Sequence, residues 1–500
     1  MSIADIVESV VDGPLPLRFE AYDGSAAGPP EAARRMRLRT PRGAAYLATA
    51  PGDLGLARAY VSGDLVLDGV HPGDPYDLLA DMASVSYRRP TPQLAVEVAR
   101  TLGLRGVTPP PPPPQETLPR WRRIAEGLRH SSGRDAEAIH HHYDVSNRFY
   151  EMVLGPSMTY TCACYPRVDA TLEEAQENKY RLVFDKLALE EGDRLLDIGC
   201  GWGGMVRYAA RRSVQVLGVT LSRQQALWAQ KAIAEEGLAH RVEVRHGDYR
   251  DVTESGFDAV SSIGLTEHVG VRNYASYFGF IRDRLRPGGL LLNHCITRPH
   301  NKRQETGPFI DRYVFPDGEL TGSGRIVTEA QDAGLEVLHE ENLREHYALT
   351  LAAWCHNLVE HWDECVAEVG EATARVWGLY MAGSRLGFER NDVQLHHVLA
   401  VRTDPDGRHD RPLRPDSAAP SPSQASAAAR TIPTSATPHR CAVAGSTTPA
   451  GPPPTMSATC SATRPVMPAA TSPSGRSPGG RIGALTMNRY TSGSSSTRWR

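Results

Sequence analysis

The sequence predicts an α/β protein: a doubly wound sheet with helices on both faces, behind a small α/β domain and ahead of a disordered tail. Three observations predict it. Strand-like and helix-like runs alternate over 194–198, 205–211, 214–219, 223–236, 241–245, 257–262, 273–285 and 289–296, the pattern of a parallel sheet with crossover helices. The first strand runs from Arg194 to Ile198 into the turn Gly199-Cys200-Gly201-Trp202-Gly203-Gly204. Glycine there lets the backbone turn sharply and approach a ligand where a Cβ would clash. The chain also changes character twice, at an unbroken proline run (Pro109 to Pro114) and after Pro415. These breaks define a domain 1–108, a linker 109–119, a domain 120–415 and a tail 416–500.

In the first domain, Ile3, Ile6, Val7, Val10 and Val11 recur at helical spacing, with Asp5, Glu8 and Asp12 on the polar face. A basic face would favour an anionic membrane; this acidic one fits a soluble domain. Segments 15–22, 34–40 and 43–49 read as short strands, and 54–61 and 75–83 as helices. Nothing in these residues names a chemistry, although the domain is a candidate for lipid association. The proline run favours an extended, semi-rigid linker. Arg120-Trp121-Arg122-Arg123, with Arg129, His130 and Arg134, is the dense basic-aromatic segment. It reads either as a solvated helix face or as a contact for anionic lipid head groups.

His140-His141-His142 suggests a metal at first sight, but helical neighbours point about 100° apart and metal pairs favour i,i+4 spacing. No metal site is expected. Thr171-Leu172-Glu173-Glu174 is a capping box opening a helix to about Leu189. Ser222 followed by Gln225 reads as a second, so Gln225 serves the helix, a ligand or both. Ligands in such sheets sit outside the carboxyl ends of the strands, where the glycine turn, Thr220, Asp248 and Glu267 fall.

The formal charge of −3 argues against a nucleic-acid binder. No stretch approaches the ~20 apolar residues of a membrane span, and no secretory signal is visible. The eight cysteines lack paired metal-like spacing and suit reduced thiols in the cytoplasm. The tail holds eight Arg, no Lys and one acid (Asp416), which leaves 47 basic and 57 acidic residues, or −10, in 1–415. Rich in Ser, Ala, Pro, Thr and Gly, the tail is expected to be disordered, either a dispensable extension or a frameshift product.

A nicotinamide enzyme usually carries Asp or Glu at the end of the strand after the glycine turn. Val219 and Thr220 stand there instead. Asp197-Ile198-Gly199-Cys200-Gly201-Trp202-Gly203 resembles the first motif of class I (Rossmann-like) methyltransferases, which bind S-adenosylmethionine. Further runs extend the likeness: His142-Tyr143-Asp144-Val145-Ser146, Met158-Thr159-Tyr160-Thr161-Cys162-Ala163, Gly218-Val219-Thr220-Leu221-Ser222, Asp248-Tyr249-Arg250-Asp251, Glu267-His268-Val269-Gly270 and His294-Cys295-Ile296. Together they resemble the cyclopropane fatty acid synthases, with the mycolic acid cyclopropane synthases and fatty acid methyltransferases of actinobacteria. The resemblance covers about 120–400. More weakly, 1–108 resembles the extra domain of the phospholipid-acting members.

The resemblance implies a reaction. The alkene of an unsaturated phospholipid acyl chain attacks the sulfonium methyl, and a base, thought in the family to be bound bicarbonate, removes a proton so that a cyclopropane closes. It implies a bicarbonate cage of Cys162, Glu267, His294, Ile296 (through backbone) and Tyr347. It implies cofactor contacts from Tyr160, Thr161, Asp197, Gly199, Gly201, Gly203, Thr220, Gln225, Asp248 and Tyr249. The expected location is cytoplasmic and peripheral to the membrane; the oligomeric state stays open, with a homodimer among the options. Cys164, Cys295 and the pair Leu265-Thr266 depart from common family residues around the base and acyl channel. That leaves open a methylene or methyl-branched product. A small-molecule methyltransferase and a non-catalytic lipid-binding protein are the other readings.

Overall fold

The computed structural model describes residues 1–88, 91–116, 145–302, 304–316 and 318–411. The basic-aromatic segment from Arg120 to Arg134, the run His140 to Asp144, the end of the linker and the tail 416–500 lie outside the described residues.

Ser2 and Asp5 cap α1 (Ile3–Val10) reciprocally. A four-stranded sheet follows, from β1 (Arg18–Ala21), β2 (Ala26–Ala27), β3 (Arg35–Leu38) and, after α2 (Pro41–Thr49) and α3 (Asp53–Val61), β4 (Leu65–Asp68). Its order is β2-β1-β3-β4. Then come α4 (Tyr76–Ser84) and α5 (Pro92–Gly106). The expected strand at 43–49 is the helix α2. The Thr40 hydroxyl accepts from the Gly43 N–H at 3.1 Å and Pro41 opens the first turn. An N-cap, a proline pre-set for the first helical position and three alanines outweigh the apolar alternation.

The proline run is docked. Tyr46 donates from its hydroxyl to the Pro111 carbonyl at 2.6 Å. The Glu116 carboxylate is fully buried, takes a bidentate contact from Arg58 at 2.7 Å, and pairs with Arg312.

Two helices lead into the main sheet, α6 (Asn147–Leu154) and α7 (Leu172–Lys186). The predicted capping box opens α7: Thr171 Oγ1 accepts from Glu174 N at 3.2 Å and Glu174 Oε2 from Thr171 N at 2.8 Å. There follow β5 (Arg194–Ile198), α8 (Gly204–Ala210), β6 (Gln215–Thr220), α9 (Arg223–Glu235), β7 (Val242–His246) and β8 (Phe257–Ile263). Next are α10 (Thr266–Val269), α11 (Tyr274–Arg284), β9 (Leu285–Thr297), α12 (Pro308–Tyr313), α13 (Ser323–Asp332) and β10 (Glu336–Asn342). The described chain closes with α14 (Arg344–Glu360), α15 (Trp362–Val369), α16 (Glu371–Glu389) and β11 (Gln394–Val401).

The order of the main sheet is β10-β11-β9-β8-β5-β6-β7. The run from β9 to β7 is parallel, as predicted. β11 is antiparallel to both its neighbours. Alternation sorts the strand side chains between the faces. Leu195, Val216, Ala259 and Leu292 join α7, α8 and α9; Leu196, Leu217, Val260 and Leu291 join α11 and α13. Burial on both faces explains why these strands read as continuous apolar runs. A third core gathers residues of α6, α14 and α16 with Trp202, Cys162 and Tyr347. α16 also meets the N-terminal domain: a Cβ at Gly378 would lie 2.1 Å from the Pro72 carbonyl oxygen. No helix among the described residues is long and apolar enough to cross a membrane.

Candidate active site

The strand order reverses between β5 and β8, and a cleft opens at their carboxyl ends. It is lined by Tyr160, Thr161, Asp197, Gly199, Gly201, Thr220, Gln225 and Tyr249, among others. Gly199 and Gly201 have φ of +78° and +53°, a region that side chains strain to adopt. A Cβ on Gly201 would meet nothing within 4 Å, so this glycine borders open space. Gly199 N and Cys200 N both donate to the Val219 carbonyl, at 2.9 and 3.0 Å, fixing the turn against β6.

Asp197 is buried opposite Ser261, whose hydroxyl donates to Asp197 Oδ1 at 2.6 Å. Burial pushes its carboxyl up to about 6, against the pull of Ser261 and Lys179. Gln225 resolves its double reading. Ser222 caps α9 by accepting from the Gln225 N–H at 3.3 Å, while the Gln225 side chain accepts from Thr220 Oγ1 at 2.9 Å. Its amide therefore belongs to the cleft wall.

Two expected cofactor contacts also carry structural roles. Gly203, with a φ of +77°, opens α8, and a Cβ there would press on Ala229 of α9 at 3.1 Å. Asp248 caps the turn Tyr249–Asp251, and its carboxylate is engaged by the Arg250 guanidinium. Its neighbours Gly247 and Tyr249 line the cleft.

Sequence reasoning missed Lys179. It lines the cleft, is fully buried, and donates from Nζ to Thr161 Oγ1 at 2.7 Å. Burial lowers its ammonium to about 7, against the nearby Cys164, Cys162 and Asp197. A signal existed: the buried face of α7 runs Leu172, Ala175, Gln176, Lys179, Tyr180, Val183, Lys186, which puts two lysines at core positions.

Two of the five expected cage residues, Glu267 and Ile296, share a hydrogen bond, and strand register and backbone contacts relate the other three to them. Glu267 Oε1 accepts from the Ile296 N–H at 2.5 Å. Ile296 faces Leu395 on β11, the Leu395 carbonyl accepts from Leu343 N at 2.8 Å, and Tyr347 N donates to Leu343 O one turn into α14. The Cys162 thiol lies 3.9 Å from the same Leu343 oxygen. His294, two residues before Ile296, shares its face of β9. Since the Ile296 N–H is taken by Glu267, any direct backbone part for Ile296 falls to its carbonyl.

Glu267 Oε2 and His294 Nε2 are buried and have no hydrogen-bond partner. Burial raises the Glu267 carboxyl to about 7, against the lowering bond from Ile296. It holds His294 well below its ordinary value, hence neutral. The Cys162 thiol is driven well above its ordinary range by burial, so it stays protonated. A thiol of that kind is a weak donor and not a nucleophile. Of the departures noted in the sequence, Cys295 points to the opposite face of β9, into the core with Tyr274 and Tyr277. The Thr266 hydroxyl is spent on Asn293 Oδ1 at 2.7 Å.

A glycine-turn cleft at the switch point of a sheet with one inserted antiparallel strand defines a class I methyltransferase. The comparisons narrow the class. A profile described as mycolic acid cyclopropane synthetase matches residues 130–398. A probable fatty acid methyltransferase from Mycobacterium tuberculosis is 66% identical over 418 residues, 83% of this chain and 98% of that protein. A cyclopropane-fatty-acyl-phospholipid synthase from Escherichia coli is 36% identical over 264 residues, 52% of this chain and 66% of its own. The solved structure of mycolic acid cyclopropane synthase CmaA1 complexed with SAH and CTAB is 31% identical, with a TM-score of 0.50, covering 53% of this chain and 98% of that one. The chain belongs to the mycolic acid cyclopropane synthetase family. It is an S-adenosylmethionine-dependent methyltransferase of the cyclopropane-fatty-acyl-phospholipid synthase type.

Proposed function

We propose that this chain adds a methylene unit from S-adenosylmethionine to the double bond of an unsaturated phospholipid acyl chain, giving a cyclopropane fatty acid. The observation that carries the reading is the pair of buried, unpartnered atoms Glu267 Oε2 and His294 Nε2. Leaving such groups unsatisfied costs about 1–3 kcal/mol each, and a small polar anion would satisfy both. Bound bicarbonate supplies the base that takes a proton from the added methyl group. Cys162 and Tyr347 offer it thiol and hydroxyl donors, and Glu267, poised near 7, shares a proton with it.

Bound S-adenosylmethionine supplies the electrophilic methyl. Gly199 and Gly201 admit it closely, Thr220 and Gln225 offer hydroxyl and amide, and Asp197 and Tyr249 complete the wall. Gly203 and Asp248 support this wall from behind. Lys179 is the cation in the cleft for a carboxylate. Tyr160 lies among Tyr150, Trp354 and Trp377, with ring centroids 5.8, 5.3 and 5.7 Å away. Ring faces stabilise positive charge developing on an acyl chain, and their apolar bulk keeps out water that would trap it.

Relatives named as fatty acid methyltransferases, among them the 66% identical one, support a second reading, a methyl- or methylene-branched product. Docking on an anionic bilayer through Arg120, Arg122 and Arg123, at up to about 1 kcal/mol each, completes the proposal. Salt-sensitive binding to anionic vesicles, weakened by Ala at these positions, is its expected signature; equal binding to neutral vesicles rules these arginines out.

The test is the product formed from an unsaturated phospholipid and methyl-labelled S-adenosylmethionine. Label in methylene protons upfield of the ordinary chain signals supports the cyclopropane. Label in a branch methyl or an alkene group supports the second reading and excludes the first.

A further inference from the structure

Behind His294 runs a buried chain of titratable groups, His397, Lys186 and Glu341, that had no part in the sequence reading. His294 Nδ1 lies 2.8 Å from His397 Nε2, and His397 Nδ1 lies 3.1 Å from Lys186 Nζ. Lys186 Nζ bonds Glu341 Oε2 at 2.5 Å. The Lys186 side chain is 1% exposed, His397 0% and His294 1%, while Glu341 reaches the surface at 36%. The four come from α7, β9, β10 and β11, so the fold has been brought together around them.

The chain has a direction. A lysine paired with a carboxylate is an ammonium, which only donates. It donates one proton to Glu341 and another to His397 Nδ1. Since burial keeps both imidazoles neutral, His397 then carries its single proton on Nε2 and donates to His294 Nδ1. His294 in turn carries its proton on Nε2, the atom left without a partner.

We propose that Lys186, acting through His397, holds His294 as the Nε2–H tautomer, so that it faces the cage as a hydrogen-bond donor. Lys186 and His397 are positioning residues in this account: neither contacts the reacting atoms, and each sets what the next ring presents. The inference rests on the proposed function for what the donor is for, a bound anion, and on hydrogen-bond geometry and burial for the ring state. An imidazole on the other tautomer would turn a lone pair toward that anion and repel it. The same device, an outer partner fixing which histidine nitrogen carries the proton, operates behind metal-bound histidines.

The test reads the ring directly. In protein labelled with 15N-histidine, long-range 1H–15N correlation reports which nitrogen of His294 is protonated, with the signal assigned by its loss in His294→Gln. The wild type is expected to show Nε2–H. His397→Gln is expected to keep that pattern, because an amide accepts from Lys186 and donates to His294. His397→Glu is expected to reverse it to Nδ1–H, because a carboxylate only accepts. A merely structural role predicts no such inversion between two variants of equal size. Nδ1–H in the wild type, or an unchanged pattern in His397→Glu, overturns the proposal; if His397→Glu does not fold, the wild-type spectrum decides alone. The spectrum is taken without substrate, so it is independent of turnover. A fully active His294→Gln beside an Nε2–H wild type would remove the cage and uphold the ring assignment.

Discussion

One oxygen of Glu267 is fixed by the Ile296 N–H at 2.5 Å, and the other is buried with no partner. The strand thus aims a carboxylate that it does not satisfy, and stability should register it. Burial raises the folded carboxyl from 4.5 to about 7. The folded state therefore holds the proton more tightly than the unfolded one, and stability falls as pH rises from about 4.5 through 7. At roughly 1.4 kcal/mol per unit, the loss approaches about 3 kcal/mol above pH 7. Glu267→Gln should match the wild type near pH 4.5 and exceed its melting temperature at pH 8. A difference that does not change with pH would contradict the burial argument.

Lys179 gives a second titration. Its ammonium is held near 7 by burial, so at pH 8 much of it is neutral. A carboxylate arriving beside it favours the charged form. Binding of S-adenosylmethionine at pH 8 should therefore take up protons, and Lys179→Met should reduce that uptake. Calorimetry in buffers of different ionisation enthalpy measures both. Proton release, or uptake unaltered in the variant, would take Lys179 out of cofactor binding.

Gly201 tests the cleft. Valine there meets no atom within 4 Å at its Cβ, yet must adopt a φ of +53° and point into open space. The strain is of order 1–3 kcal/mol. Gly201→Val should fold with a lowered melting temperature and show no calorimetric binding of S-adenosylmethionine. Retained affinity would move the cofactor elsewhere.

Glu116 joins the end of the proline run to Arg58 and Arg312. Removing one partner from a buried ion pair typically costs 3–5 kcal/mol. Glu116→Gln should lose stability on that scale, seen as a shift in denaturant midpoint. A loss below about 1 kcal/mol would mean that the run is not held by this carboxylate.

Much of the main sheet was legible because its strands carry local signals: β-branched runs, the glycine turn, and the Thr171 capping box. β11 was not. It enters from α16, pairs antiparallel, and is defined by partners about a hundred residues away, as His294 with His397. Its histidines look like any polar pair until the register is known. The 43–49 segment failed because Thr40 and Pro41 start a helix that its apolar pattern does not announce. Gly203 and Asp248 also serve packing and capping, roles that their motifs do not announce. Position in a motif identifies a turn; it does not say which of its residues face the ligand.

The most direct test of the account is turnover of Glu267→Gln, measured on unsaturated phospholipid vesicles with and without bicarbonate, beside its affinity for S-adenosylmethionine. Removing a positioned acid-base group typically costs 10²–10⁴-fold. The account predicts a loss on that scale with cofactor affinity unchanged, a wild type that slows when bicarbonate is depleted, and little further effect of depletion on the variant. Normal turnover in Glu267→Gln, or a loss that follows weakened cofactor binding in proportion, would contradict it.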